Sequence, residues 1–315
     1  ALGLPVSASG PLANLLAVPW VSLTVPFALL GTLLLPVAGV GEALLSVVGY
    51  SLALLFDVLA AIANWQPAWI AVGLPVWALA LIGLGVLLLL LPAGIPLRSL
   101  GLLLLLPLAF PPRVEVPDGR AQVWVLDVGQ GLAVLVRTRE HALLYDAGPK
   151  QGDFDTGERV VVPSLRTLGV TRLDLLLLSH ADNDHSGGAD AVQRLLRVDR
   201  VVSGEPSRLA PDLGAERCES GSSWQWNDVR FSLWQWQMAR DSNQLSCVLQ
   251  IEANGERILL TGDIDQAAER AWLASEQRTP SHWLLLPHHG SRSSSSEPFL
   301  RGVASHAALI SRSLH

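Results

Sequence analysis

The chain has 315 residues, of which 50% are hydrophobic and 16% charged, and its formal net charge is −6 at pH 7. Residues 1–112 contain only three of the 50 charged side chains, Glu42, Asp57 and Arg98. Such a composition excludes a protein that is soluble along its whole length. We therefore predict a transmembrane helical region at 1–112 and a soluble domain at 113–315.

Four apolar stretches follow one another in the membrane region. A helix needs about 20 apolar residues to cross a hydrocarbon core roughly 30 Å thick, so the longer stretches are candidate spans. The last stretch is short enough for a re-entrant or interfacial piece. The stretches cover residues 12–40, 43–63, 73–91 and 99–110.

Prolines and one acidic residue within these stretches leave two interpretations open. Pro19, Pro26 and Pro36 fit either broken helices that line a polar path or ordinary kinked helices. Asp57 is a functional candidate because ionisable groups at membrane depth are costly. However, residues 42–64 also have the pattern of an amphipathic helix, which would place Asp57 at the membrane interface.

From residue 121 onward, strand-length apolar runs alternate with helical segments. This pattern predicts layered sheets with helices on the outside. The predicted strands are 121–128, 132–137, 141–146, 173–179, 198–203, 223–226, 229–236, 246–252, 256–261, 282–287 and 307–311, and the predicted helices are 158–168, 188–197 and 265–276.

The most informative run, Ser-His-Ala-Asp-Asn-Asp-His-Ser-Gly-Gly, begins at the end of the strand predicted at 173–179. Side chains at alternate positions of an extended segment point the same way. His180, Asp182 and Asp184 can then converge, and His185 can face a second ion. Four metal-competent side chains within six residues favour a dinuclear metal site over a solvated acidic loop.

Further candidate ligands stand at the ends of other predicted strands. Asp146 and Asp263 each end an apolar run, and His288 and His289 follow a third. Asp127 begins a tight glycine-rich turn between two strands. Each piece alone is weak because such turns are common, but their order along one chain indicates a single site.

These motifs resemble the metallo-β-lactamase superfamily, and within it the ComEC family of competence DNA-uptake proteins. The His-x-Asp-x-Asp-His run is typical of that branch, as are Asp-Val-Gly-Gln-Gly at 127–131, Thr-Gly-Asp at 261–263 and His-His-Gly-Ser at 288–291. Residues 10–19 resemble the close of the family's membrane channel region. The resemblance implies that the soluble part is an αββα sandwich.

We expect the chain to be a fragment whose hydrolase domain is truncated at its C-terminal end. It begins at Ala1 without an initiator methionine and ends at His315, just past a predicted strand. The resemblance implies a continuation with an Asn and a His-Pro pair close to the metal site.

By motif position, the resemblance implies ligands for two divalent ions. His180 and Asp182 would bind one ion. Asp184 and His185 would bind the other, and Asp263 would bridge the two.

One of two adjacent histidines, His288 or His289, would complete the second ion's shell. Asp184 is also in a position to hydrogen-bond a nucleophilic water. Asp184 and Asp263 are therefore the predicted catalytic residues.

Other residues are predicted to support the ligands. Asp146 would orient a ligand loop, because metal-bound imidazoles usually need such a partner. We expect Asp127 to have a similar supporting role. Many superfamily members supply another His where this chain has residues 241–246, which contain none. Asn243 or Ser246 could contribute an oxygen, which would leave the first ion with a weaker and more open shell.

Asp182 replaces the middle His of the superfamily motif and adds a hard oxygen ligand. This change shifts preference from zinc toward manganese or magnesium, so Mn²⁺ is the first expectation and Zn²⁺ and Mg²⁺ are the alternatives. Two ions about 3.5 to 4 Å apart can activate a water and hold both oxygens of an in-line displacement. The predicted enzyme is therefore a dinuclear metal-dependent nuclease that hydrolyses phosphodiester bonds.

The resemblance implies DNA uptake during natural transformation by a multi-pass protein of the inner (cytoplasmic) membrane. Its metal domain would face the extracytoplasmic side and hydrolyse the non-transforming strand. The implied partners are a single strand of the incoming duplex DNA, membrane lipid and other competence-machinery proteins. Two alternatives stay open: a membrane-anchored metallohydrolase of another substrate class, such as a phosphocholine ester or lactone, or a DNA-binding transport component that does not cleave.

The charge of residues 113–315, with 21 basic against 26 acidic side chains, is evidence against a broad electrostatic surface for nucleic acid. We expect DNA contact to be local to the metals and to arginines. Four tryptophans at period two favour cross-strand packing on one sheet face over a platform for base stacking. They are Trp224, Trp226, Trp234 and Trp236.

The two cysteines, Cys218 and Cys247, have no Cys-x-x-Cys spacing, so neither a zinc knuckle nor a dense disulfide framework is indicated. A buried strand thiol at Cys247 is favoured over one optional disulfide.

Overall fold

The computed structural model describes residues 9–64, 76–92, 94–110 and 115–311. The chain divides into two compact units, Ala1–Ala71 and Val72–His315. The boundary predicted between residues 112 and 113 and the start of the third predicted span, residues 73–75, lie outside the described residues.

The first unit contains two apolar helices, α1 (Ser9–Leu33) and α2 (Val40–Asn64). Pro19 and Pro26 lie inside α1, which continues through both as one helix. Pro36 lies in the connection between the helices, so the first apolar stretch ends as a helix at Leu33 rather than at residue 40. Both helices contain segments long and apolar enough to cross a membrane.

Helix α2 has one face with buried side chains, among them Val48 and Leu55. Trp20 of α1 donates a hydrogen bond from its indole Nε1 to Ser51 Oγ at 2.9 Å, which ties the two helices together. Asp57 lies on α2 with an exposed side chain. This exposure is compatible with both interpretations of Asp57.

The second unit begins with the shorter helices α3 (Val76–Leu89), α4 (Leu100–Leu104) and α5 (Leu106–Ala109). At a rise of 1.5 Å per residue, the described part of α3 is roughly 20 Å long, less than the hydrocarbon thickness. Gly85 and Gly101 let α3 and α4 approach closely, because a Cβ on either glycine would lie within 2.8 Å of the other's carbonyl oxygen.

Residues 115–311 of the second unit contain two six-stranded sheets and two two-stranded sheets. The strands are β1 (Gln122–Val125), β2 (Val134–Arg137), β3 (Ala142–Tyr145), β4 (Lys150–Gln151), β5 (Phe154–Asp155), β6 (Arg172–Leu173), β7 (Leu175–Leu178), β8 (Arg197–Val198), β9 (Val201–Ser203), β10 (Glu216–Arg217), β11 (Ser223–Trp226), β12 (Val229–Trp234), β13 (Val248–Ala253), β14 (Glu256–Leu260), β15 (Trp283–Leu285) and β16 (Ala307–Leu309). The first six-stranded sheet has the order β1-β2-β3-β7-β9-β10 and the second has the order β11-β12-β13-β14-β15-β16, while β4 pairs with β5 and β6 with β8. The helices are α6 (Val162–Thr167), α7 (Asn183–Ser186), α8 (Ala189–Leu195), α9 (Gln266–Leu273) and α10 (Glu297–Val303).

Apolar side chains fill three layers around these sheets, which confirms the predicted αββα sandwich. Strand β7, Leu175–Leu178, is buried on both faces, as expected for a parallel strand covered on both sides. Residues that include Leu143, Tyr145, Phe231, Leu249 and Ile251 form the core between the sheets. The outer layers contain Leu144, Leu176, Val162 and Leu165 beside the first sheet and Leu259, Leu284, Trp272 and Phe299 beside the second.

Parallel pairing brings several strand ends to one edge. Strands β3, β7 and β9 run parallel in the first sheet, and β14 and β15 run parallel in the second. Parallel strands end at the same edge of a sheet. The predicted site residues lie in the connections that follow β3, β7, β14 and β15. In that order they are Asp146, the 179–185 run, Asp263 and the His288-His289 pair.

The cysteine prediction was wrong, because Cys218 and Cys247 form a disulfide with a Cα–Cα distance of 6.0 Å. Cys218 follows β10 of the first sheet and Cys247 precedes β13 of the second, so the bond links the two sheets. Their pairing follows from the packing of the sheets, which the spacing of 29 residues does not reveal.

Aromatic packing of the tryptophans is confirmed, although the four do not share one face. Trp224 stacks on Phe231 with ring centroids 5.2 Å apart, and Trp226 packs edge-on against both. These rings border the core between the sheets. Trp234 and Trp236 belong to the outer layer beside α9 and α10.

Candidate metal centre

The 179–185 run leaves β7 and turns into the short helix α7. Asp182 is the N-cap residue of that helix, in an extended conformation with φ −70° and ψ 147°. The prediction of an extended segment through Asp184 was therefore wrong, because the helical turn separates Asp184 from Asp182. Asp184 and His185 lie instead in a group with residues from the second sheet.

This group contains Asp184, His185, Asp263 and His289, whose potential ligand atoms all lie within 4.8 Å of one another. His185 Nε2 is 3.1 Å from Asp263 Oδ1. His289 Nε2 is 3.4 Å from Asp184 Oδ2 and 3.7 Å from Asp263 Oδ2. We call these residues the four-residue group.

His180 and Asp182 form a second, smaller set beside it, which we call the His180 pair. His180 Nε2 lies 3.5 Å from Asp182 Oδ2. The rings of His180 and His185 are 4.3 Å apart between centroids, so the pair and the four-residue group are neighbours. Asp263 and His289 are the members of the four-residue group that follow strands of the second sheet.

Three buried imidazole nitrogens have no partner among the described residues, namely the Nε2 atoms of His180, His185 and His289. Each lies beside a carboxylate but makes no hydrogen bond of normal geometry. A buried polar atom left without a partner costs about 1 to 3 kcal/mol. Divalent cations bound in the two sets by these nitrogens and the adjacent carboxylate oxygens would satisfy all three atoms, so the residues fit metal ions.

The opposite ring nitrogens fix the tautomers. His185 Nδ1 is 2.8 Å from Asp146 Oδ2, and His289 Nδ1 is 2.7 Å from the carbonyl oxygen of Ser311. Because a carbonyl or carboxylate oxygen accepts, both Nδ1 atoms carry the hydrogen. In the neutral rings the Nε2 lone pairs are then available to a metal, and histidine ligands are usually arranged in this way.

Asp146 accepts three hydrogen bonds in a fully buried position. Ser179 donates to it from its backbone N–H at 2.6 Å and from its hydroxyl at 2.8 Å, and His185 donates from Nδ1. The backbone of Asp146 has a φ of 60°, a strained value for a non-glycine residue. The structure therefore brings Asp146 into direct contact with a histidine of the group.

The His288-His289 turn decides which histidine joins the group. Both residues have left-handed backbone conformations, with φ of 51° and 53°. This turn buries His289, whereas His288 is 31% exposed and bonds through Nδ1 to Ser293 Oγ at 3.0 Å. His288 Nε2 remains 3.9 Å from Asp263 Oδ2, at the rim of the group.

The remaining supporting candidates have different surroundings. Ser246 Oγ accepts a hydrogen bond from Asp263 N–H at 3.1 Å and lies 3.5 Å from His180 Nδ1, so it touches both sets. Asn243 makes no side-chain hydrogen bond within residues 115–311. Asp127 is exposed and accepts from Gly129 N–H in its own turn.

Sequence reasoning missed four polar residues that contact predicted ligands directly or through one another: Ser179, Glu205, Arg208 and Ser242. Glu205 follows strand β9 and could have been found by the signal that found Asp146 and Asp263. The other three carry no motif that separates them from ordinary loop residues.

Neighbouring imidazoles favour the ionised form of Asp182 and Asp263. Burial opposes ionisation of Asp263, but the imidazole of His185 outweighs this effect and lowers the pKa of Asp263 to about 2. The His180 imidazole beside the carboxylate is the main cause of the lowered pKa of Asp182, and the hydrogen bond from Ser242 adds to it. Burial would lower the pKa of His185, but Asp146 and Asp263 raise it above the usual value. The site therefore attracts cations.

Comparison with known families identifies the domain that carries these residues. The model of the metallo-beta-lactamase superfamily matches residues 126–313, which is more than half of the chain and includes the four-residue group and the His180 pair. The chain belongs to the metallo-beta-lactamase superfamily. A competence protein model matches residues 4–95, within the apolar region.

Three relatives extend this result. Competence protein ComA of Neisseria gonorrhoeae is 37% identical over 305 residues, which is 96% of this chain and 42% of the relative. Uncharacterized protein YcaI of Escherichia coli is 36% identical over 68% of this chain and 27% of the relative. Recombination protein 2 of Haemophilus influenzae is 33% identical over 60% of this chain and 24% of the relative. The resemblance to competence proteins is thus confirmed over nearly the whole chain, which spans less than half the length of these relatives.

Proposed function

We propose that this chain is the part of a DNA-uptake protein that carries the end of the membrane channel region and a metal-dependent nuclease. Its domains would meet near residue 112. The nuclease would hydrolyse phosphodiester bonds of the non-transforming strand during natural transformation. The similarity to ComA covers both halves in one order, which supports a role in competence. The single observation that carries the catalytic part is the set of three buried Nε2 atoms that face carboxylates and have no partner among the described residues.

The distances within the His180 pair and the four-residue group support the following proposed ligands. His180 and Asp182 would hold one divalent ion, Asp184, His185 and His289 would hold the other, and Asp263 would lie between them. The carboxylate-rich set favours Mn²⁺, with Mg²⁺ or Zn²⁺ as alternatives. When bound, such ions supply positive charge for the phosphate oxygens and a water of lowered pKa.

The other residues would position the ligands and receive the substrate. Asp146 fixes the ring of His185 through Nδ1, and Ser246 fixes the backbone of Asp263. His288 and Ser293 present polar atoms to solvent at the rim of the site. These exposed groups are suited to contact the phosphate backbone of a DNA strand, which requires no broad basic surface.

The disulfide supports an extracytoplasmic position for the metal domain, on a multi-pass protein of the inner membrane. Disulfides persist in oxidising compartments and are rare where glutathione and thioredoxin keep thiols reduced. Cys218 and Cys247 join the two sheets of the metal domain itself. This domain would therefore meet incoming DNA outside the cytoplasm, together with other competence proteins.

The test is a cleavage assay on the complete 315-residue chain in detergent, with end-labelled single-stranded DNA and Mn²⁺. We expect cleavage by the parent chain and a loss of roughly 100-fold or more in Asp263→Asn, since this removes the carboxylate between the two sets. Asp212→Asn, at an exposed position outside the site, is the matched control.

The same assay separates the alternatives. Hydrolysis of a phosphocholine ester or a lactone in place of DNA would indicate another substrate class. DNA binding that persists in Asp263→Asn, with no cleavage by the parent chain in any divalent ion, would contradict the nuclease and indicate a transport component.

A further inference from the structure

The carboxylate of Asp182 does not cap the helix that it begins. An Asp at an N-cap usually accepts a hydrogen bond from the first helical turn, but the Asp182 side chain makes none. Its Oδ2 lies 3.5 Å from His180 Nε2. Its Oδ1 accepts a hydrogen bond from Ser242 Oγ at 3.0 Å and lies 3.4 Å from Arg208 Nη2. One oxygen is anchored, and the other faces the histidine.

Glu205 connects the two anchors. It is 7% exposed, and it accepts a hydrogen bond from Ala181 N–H at 3.1 Å and from Arg208 Nη1 at 3.2 Å to each oxygen. Its Oε2 also contacts the hydroxyl of Ser242, which accepts from Arg208 Nη1 at 2.7 Å. Because a hydroxyl carries one hydrogen, Ser242 donates to either Glu205 or Asp182 at a given moment. The four side chains thus form one connected network.

The backbone fixes the loops that carry this network. A Cβ on Gly204 would lie 2.2 Å from Leu245 O and 2.3 Å from Ser179 O, so only glycine permits this approach. Gln235, which is 2% exposed, donates hydrogen bonds to Gly204 O at 2.8 Å and to Leu245 O at 2.7 Å. The loop that carries Asp182 is therefore held against the loop that follows β9 and the loop that precedes β13, which carry the other residues of the network.

We propose that Glu205, Arg208 and Ser242 are positioning residues that orient Asp182 toward the ion shared with His180 and thereby set the affinity for that ion. This inference rests on the proposed metal centre. Asp182 is 38% exposed, and a free carboxylate would lose rotational freedom on binding a metal. Residues 241–246 then supply an anchor for a ligand instead of a further ligand.

The network acts on one ion and not on the other. Glu205, Arg208 and Ser242 make no hydrogen bond or ion pair with the four-residue group within residues 115–311. Residues that support a metal ligand typically contribute 10- to 100-fold to metal affinity. Loss of an anchor should therefore change one of two binding constants.

The experiment measures Mn²⁺ stoichiometry and stepwise affinity for the full chain in detergent, by titration with electron paramagnetic resonance of free Mn²⁺. We expect Ser242→Ala to keep one ion at the parental affinity and to bind the other roughly 10- to 100-fold more weakly. Ser242→Thr, which keeps the hydroxyl, should restore both. Ser275→Ala is the matched control, because it removes a serine hydroxyl that bonds Trp272 O far from the ligands.

Arg208→Gln is the second variant and keeps the test available if Ser242→Ala does not fold, since the Arg208 side chain is 52% exposed. Its control is Arg194→Gln, which removes an exposed pair with Glu158. Parental affinity for both ions in Ser242→Ala and Arg208→Gln, or equal weakening of both ions, would overturn the network. A parent chain that binds no Mn²⁺ would contradict the metal centre itself.

Discussion

The His180 pair and the four-residue group differ in how they could hold an ion. The potential metal ligands of the four-residue group come from three loops that follow strands of the two sheets. Three of these four side chains are at most 8% exposed. The His180 pair has two donors from one loop, and Asp182 is 38% exposed. In the proposed metal centre, the first arrangement would hold its ion by the number of buried ligands, whereas the second would depend on polar residues that orient one ligand. The two ions should therefore respond differently to the same kind of substitution.

The largest effect is expected from His180→Ala. This substitution leaves Asp182 as the one proposed ligand of the pair. We therefore expect the Mn²⁺ stoichiometry of the chain to fall from two to one. His185→Ala leaves three donors in its group and should weaken its ion without abolishing binding. Equilibrium dialysis with metal analysis distinguishes these outcomes. Equal losses in both variants would remove the contrast between the two sets.

A smaller effect is expected from Asp146→Asn. The amide has one acceptor oxygen, so it cannot accept from Ser179 N–H and from His185 Nδ1 together, and the His185 ring is less firmly held in its tautomer. We expect affinity for the ion of the four-residue group to fall roughly 10- to 100-fold, with the other ion less affected, as measured by stepwise Mn²⁺ titration.

Asp174→Asn is the control for this substitution, because Asp174 also bonds a histidine, His141, through Nδ1 at 3.0 Å but lies outside the ligand sets. An equal fall in affinity in Asp174→Asn would mean that Asp146→Asn acts through general destabilisation.

The smallest effect is expected from Ser246→Ala, which touches both sets. It removes an acceptor for Asp263 N–H and a weak contact with His180 Nδ1. One neutral hydrogen bond contributes about 0.5 to 1.5 kcal/mol, so both Mn²⁺ affinities should fall by less than about 10-fold, as measured by the same titration. A change confined to one ion would place Ser246 in only one of the sets.

The strand ends were predictable from the sequence because they combine two strong local signals. Buried parallel strands appear as continuous apolar runs, and the polar residues that follow β3, β7, β14 and β15 then meet at one edge. For this reason Asp146, Asp263 and the 180–185 run were recognisable without a structure.

The choice between His288 and His289 could not be made from the sequence. It depends on two consecutive left-handed residues in a turn, and left-handed conformations are uncommon for residues other than glycine. The helical turn at 183–186 was missed for a related reason. A single turn is too short to show helical periodicity, and its cap residue was interpreted as part of a strand-like segment.

Contacts between distant loops were also beyond sequence reasoning. The anchoring of Asp182 by Ser242 spans 60 positions, and the disulfide depends on the packing of one sheet against the other. Both depend on tertiary structure, which no local pattern encodes.

The most direct test of the two proposed ion positions is anomalous diffraction at the manganese edge, from crystals of this chain grown with Mn²⁺. We expect two peaks, one between His180 and Asp182 and one enclosed by Asp184, His185 and His289, with Asp263 adjacent to both. No peak at either position, with the three Nε2 atoms bonded to water or protein instead, would contradict the proposed metal centre.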